Sequence, residues 1–97
     1  MSDMTFNAER KQLLHAFAEN IRRLREQSGF SQEAFADEAR MHRTSIGYFE
    51  QARREPNLST LLILSDSLGV SLDKLVEGLP VPQERRPARQ RKGPKLT

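Results

Sequence analysis

Apolar side chains recur along the first 79 residues at three- and four-residue steps, with polar residues between them. That period is helical, because a turn of 3.6 residues brings such positions onto one face. Leu14, Phe17, Ile21 and Leu24 form the first stripe, in a helix that starts near Asn7 and stops at Gly29, where a left-handed backbone costs least. Ser31 then offers a hydroxyl to the N-terminus of a second helix, 32–39, and Phe30 and Phe35 flank that cap at the spacing of a hydrophobic staple. The pattern returns after a short break. His42 stands at a cap position, Met41 and Ile46 bracket it, and a third helix follows over 43–51. Pro56 and Asn57 interrupt the chain and open a fourth helix, 58–68, whose apolar positions are Leu58, Leu61, Leu62, Leu64 and Leu68. Ser71 caps a short fifth helix, 72–77, closed by Gly78. No segment alternates with period two for long enough to make a strand. The predicted fold is all-α, five helices in one domain over 7–79.

The second and third helices are separated by about three residues, the connection of a helix-turn-helix, in which the second helix of the pair enters a DNA major groove. Ile46 and Phe49, three apart, turn one side of the third helix to the core. The other side then carries Arg43, Thr44, Gly47, Tyr48 and Gln51 and no carboxylate. That matters because duplex DNA presents one negative charge per roughly 1.7 Å of axis and repels acidic surfaces. Arg43, at the first helical position, has the fork geometry for the O6 and N7 edge of guanine. Thr44 offers a hydroxyl or a methyl contact with thymine. Tyr48 either reaches a phosphate or base edge or covers the rim of the core. Gln32 and the amides at the N-terminus of the second helix suit phosphates, and Arg53 and Arg54 are placed to clamp the flanking backbone. His42 is read as a helix cap with an exposed ring, set against a role in ligand or pH sensing. Gly47 weakens its helix by about 0.5–1 kcal/mol relative to alanine. Either a bare backbone lets the helix sit close on DNA, or the glycine avoids a clash with a neighbour.

Charge refines this picture. The net charge of +3 is unevenly placed. Residues 1–79 hold ten Lys and Arg against twelve Asp and Glu, a net of −2, whereas residues 80–97 hold six against one, a net of +5. The segment 80–97, with four prolines and little apolar content, is expected to be a disordered basic tail. DNA binding by the domain must therefore rest on local placement of charge. The chain has no cysteine, and its two histidines, His15 and His42, lie far apart, so neither a metal site nor a cofactor is expected. No signal pattern opens the chain and its longest apolar run, Leu61 to Leu64, is four residues; a soluble, cytoplasmic protein with no membrane contact is expected.

The run IRRLREQSGFSQEAFADEARMHRTSIGYFEQARREPNLSTLLILSDSLGVSLDKL, 21–75, resembles the lambda and Cro repressor-like helix-turn-helix family, also called the XRE family. It is most similar there to the small bacterial regulators that include restriction-modification controller proteins. The resemblance implies that Arg43, Thr44, Gly47 and Tyr48 face bases, that Gln32 and Ser45 lie near phosphates, and that Arg25 pairs with Glu50 in a partly buried bridge orienting the third helix. Members often carry glycine in the turn and after the third helix, where this chain has Arg40 and Gln51-Ala52. A left-handed Arg40 would cost on the order of 1 kcal/mol.

The expected function is a sequence-specific transcriptional regulator that binds a pseudo-palindromic operator in double-stranded DNA as a homodimer. Val70, Leu72, Leu75, Val76 and Leu79 form the expected dimer patch, in a homodimer through the fourth and fifth helices, since the C-terminal end holds more apolar groups than one small core requires. A rival of another class is an interaction protein, an antitoxin or co-regulator whose main work is holding a protein partner. An enzyme fits worst, because the sequence has no phosphate-cradling glycine loop and no nucleophile-base spacing.

Overall fold

The computed structural model describes residues 2–83, with side chains from residue 7 onward. Its helices are α1 (Ser2–Gln27), α2 (Gln32–Ala39), α3 (Arg43–Glu50), α4 (Leu58–Leu68) and α5 (Leu72–Leu75), with no strand among the described residues. α1 begins five residues ahead of the expected start at Asn7. The apolar stripe is silent over those first turns, yet no glycine or proline interrupts the chain before Gly29, so the helix continues. α5 ends two residues early, at Leu75.

Each cap is a local consequence of sequence. The Ser31 and Ser71 hydroxyls accept from the amides of Ala34 and Lys74, at 3.0 and 3.2 Å, and the Asn57 side chain accepts from Thr60 at 2.9 Å. The Phe30 and Phe35 rings stack with centroids 6.0 Å apart, fixing the angle at which the chain enters α2. Arg40 ends α2 in the left-handed conformation, φ 57° and ψ 46°, with its amide bonded to Asp37 and that of Met41 bonded to Ala36. Ala52, past the end of α3, is left-handed too, at φ 60°. Both positions where the family resemblance leads us to expect glycine thus keep a glycine-like backbone under a side chain.

The core gathers Phe17, Ile21 and Leu24 of α1, Phe35 and Ala36 of α2, Ile46 and Phe49 of α3, Leu64 and Leu68 of α4, and Leu75 of α5. α3 packs on both α1 and α2, with the Phe49 ring edge-on to Phe17 at 6.4 Å. Truncating a buried side chain of this kind costs about 2–5 kcal/mol. α5 is only four residues long and cannot hold itself. Asn20, buried on α1, does so instead, its Nδ2 donating to the carbonyls of Leu75 at 3.0 Å and Glu77 at 2.9 Å.

Of the expected dimer patch, Leu75 alone is closed off by this arrangement. Leu75 is wholly buried in the core, while Val70, Leu72 and Leu79 lie half-buried against it. Val76 lines a small cleft with Leu13, Phe17 and Leu61. Folding α5 back onto α1 turns its apolar residues inward. Among the described residues, the large apolar side chains left exposed are Leu58, Leu62 and Ile63 of α4, at 66%, 49% and 44%, and Val81 beyond α5, at 60%. At the start of the expected tail, the backbone amide of Gln83 donates to the Glu9 carboxylate at 3.0 Å. Residues 84–97 of that tail lie outside the described residues.

Candidate nucleic-acid interface

α3 is oriented by what it buries. Ile46 and Phe49 sit in the core, which turns Arg43 and Thr44 to solvent, with Gly47 and Tyr48 half-buried along the same flank and Ser45 half-buried beside the core face. Below them Glu50 is only 5% exposed, and three donors meet its carboxylate. Arg25 donates through Nε to Oε2 at 2.6 Å and through Nη2 to Oε1 at 3.1 Å, and Gln32 donates through Nε2 to Oε1 at 3.0 Å. Arg25 also donates through Nη1 to the Phe30 carbonyl at 2.8 Å, at the entrance to α2. The hydrogen bond to Glu50 holds the Arg25 guanidinium above its ordinary pKa, against the opposing effect of burial. One buried carboxylate therefore locks α1, α2 and α3 together. It also keeps the only acidic side chain of α3 off the exposed face.

Gln32 is tied into this network, which sequence reasoning missed. One of its two amide hydrogens is engaged by Glu50, which leaves the other available beside the first-turn amides of α2. His42 caps α3 through its backbone: its carbonyl accepts from Ser45 and Ile46 at 3.0 and 3.3 Å, and its exposed ring makes no cap hydrogen bond. Beyond α3 the left-handed Ala52 swings the chain around, and the Arg53 amide bonds the Tyr48 carbonyl at 2.8 Å. The guanidiniums of Arg53 and Arg54 come to lie 5.2 and 4.7 Å from the Tyr48 ring centroid. Tyr48 is thus a stacking platform for both arginines. Its position five and six residues ahead of them gives no periodic signal from which this contact could be foreseen.

An alanine-sized Cβ built on Gly47 meets only the Gln51 amide, at 3.8 Å, an ordinary contact. No neighbour within the fold requires a glycine there. Glu55 lies exposed next to Arg54, a carboxylate the sequence reading did not weigh, and Arg10 of α1 neutralises it at 2.9 Å. Among the described residues no cluster of three His, Cys, Asp or Glu is placed to hold a metal ion. No described helix is long and apolar enough to cross a membrane.

Residues 21–75 match the family model described as Helix-turn-helix. The control protein C.SmaI of Serratia marcescens is 44% identical over 59 residues, which cover 61% of this chain and 70% of that protein. The SPbeta prophage-derived uncharacterized HTH-type transcriptional regulator YonR of Bacillus subtilis is 40% identical over 62 residues, 64% of this chain and 57% of the regulator. Among solved structures, the restriction-modification controller protein C.AhdI from Aeromonas hydrophila superposes with a TM-score of 0.62 at 31% identity. That match covers 64% of this chain and 94% of C.AhdI. The hypothetical transcription factor NHTF from Neisseria gives 0.64 at 33% identity, covering 78% and 84%.

Proposed function

The chain belongs to the helix-turn-helix family, in its XRE-type form, and on that premise we propose that it regulates transcription as a homodimer that reads a pseudo-palindromic operator. Two copies of α3 enter successive major grooves roughly 34 Å apart. Arg43 and Thr44 meet base edges, while Ser45, Gln32, Arg53 and Arg54 meet the phosphate backbone on either side. His42 stands at the rim of this surface. The second copy is held through α4, where Leu58 and Leu62 lie one helical turn apart with Ile63 beside them, all exposed. The six basic residues in 84–97 add sequence-independent attraction to DNA. Control follows from occupying or flanking a promoter, without catalysis.

The observation that carries this reading is Gly47. It lies one turn after Arg43 on the outward flank of α3, and the fold leaves room there for a side chain. A glycine that the fold does not need, on the flank free of acidic groups, is suited to close approach by a duplex. Selection of bound duplexes from a random pool, followed by binding of Arg43→Ala, tests it. The expected loss is about 1–3 kcal/mol on the selected sequence and much less on random DNA. Equal losses on both would remove Arg43 from base reading.

A further inference from the structure

We propose that the cleft between the N-terminal half of α1 and the loop after α3 is a second contact with the DNA backbone, carried by Lys11 with Arg53 and Arg54. This rests on reading the chain as a DNA-binding regulator, and it extends the interface from Arg53 and Arg54 to Lys11 of α1, which lies outside the family-matched 21–75. The cleft is open, with a volume of about 460 Å³. Arg10 and Lys11 line it from α1, and Arg53, Arg54 and Glu55 line it from the loop. Four cations against one carboxylate leave a net charge of +3 in this cleft alone. The same formal net charge belongs to the entire chain.

Pairing within the cleft separates the roles of its cations. Arg10 is engaged by Glu55 at 2.9 Å, a bridge that ties the loop to α1 and sets the width of the cleft. Among the described residues Lys11 has no ion-pair partner, and Arg53 and Arg54 have only the Tyr48 ring. Three unneutralised cations therefore line one groove. Self-repulsion makes such an arrangement unfavourable in the free protein unless an anion relieves it. Two features select a nucleic-acid strand over a small anionic ligand. The cleft is a groove open to solvent with no buried cation to grip a small anion. Two of its lining cations, Arg53 and Arg54, also rest on the ring of Tyr48, a residue of α3. A duplex seated on Arg43 and Thr44 brings its backbone across the open mouth of this cleft, beside Lys11, Arg53 and Arg54. Tyr48 then acts as a positioning residue that holds two phosphate ligands beside the reading helix.

The test is the salt dependence of binding by the full chain, measured by fluorescence anisotropy on a duplex selected from a random pool and on a random-sequence duplex. Lys11→Gln, at an exposed side chain, is expected to leave the melting temperature unchanged. The slope of log K against log salt should fall by about 0.9 for each phosphate contact removed, hence about 1.8 when two copies share a duplex. Affinity should fall by the same factor on both duplexes, leaving their ratio intact. Tyr48→Leu, which removes the ring under both arginines, should lose slope as Arg54→Gln does, on both duplexes alike. An unchanged slope for Lys11→Gln places the cleft off the DNA and overturns the proposal alone. Failure of the native chain to enrich any duplex overturns the regulator reading beneath it.

Discussion

Gly47 and Ala52 carry opposite backbone mismatches, and together they separate what the fold needs from what a ligand needs. Gly47 is helical and has room for a Cβ, so Gly47→Ala should raise the free energy of unfolding by about 0.5–1 kcal/mol while weakening binding to a selected duplex. Ala52 holds φ 60° with a side chain in place, so Ala52→Gly should stabilise by a similar amount, about 0.5–1 kcal/mol, once the greater freedom of unfolded glycine offsets part of the relieved strain. Urea denaturation of both variants checks this. A Gly47→Ala protein less stable than the native one would return that glycine to the fold. The sequence made the position of Gly47 on the outward flank legible, but not the space around its Cα, which is set by where Gln51 projects. Arg40 shows the same limit. Its place in the turn is legible, but its left-handed backbone follows only from how tightly α2 and α3 are drawn together.

Among the elements, α3 depends on its neighbours for orientation, since eight residues form a marginal helix alone. Its periodic apolar pair, Ile46 and Phe49, fixes which side is buried, and that much was readable from spacing. Its lock to α1 and α2 was readable only in part. The Arg25 and Glu50 pairing follows from the family resemblance, whereas the Gln32 bond to Glu50 does not follow from any pattern in the chain. Glu50→Ala should destabilise by about 3–5 kcal/mol, because it leaves the partly buried guanidinium of Arg25 and an amide hydrogen of Gln32 without their acceptor. The paired replacement Arg25→Met with Glu50→Leu should recover much of that loss, since no charge is then left unpaired in the interface. A cost under about 1 kcal/mol for Glu50→Ala would mean that packing alone orients α3. α5 teaches the complementary lesson. Its cap at Ser71 was legible, but the support that Asn20 gives its C-terminal end comes from 55 and 57 residues away in the chain.

At the scale of the whole molecule, hydrophobicity along the chain does not say which apolar residues close a monomer and which join two. Val70, Leu72, Leu75, Val76 and Leu79 look available in sequence because α5 is short and follows an already apolar α4. In three dimensions the fold buries Leu75 and half-buries the other four, whereas Leu58, Leu62 and Ile63 of α4 are exposed. The two sets make different demands on experiment. Leu75→Ala removes a wholly buried side chain and should cost about 2–5 kcal/mol of folding stability, a loss seen in the melting temperature. Leu62→Glu places a charge on a side chain that is 49% exposed, so the monomer should keep its helical content and its melting temperature extrapolated to low protein concentration. Its effect should appear in association: sedimentation at micromolar concentration should give half the native mass, because burying that carboxylate between two copies of α4 has no partner to offset it. Operator affinity should then fall steeply, as each half-site must be bound separately and the gain from linking two recognition helices is lost. A Leu62→Glu protein that still sediments as a dimer would move the interface away from α4, and a native protein that sediments as a monomer at the same concentration would remove the homodimer itself.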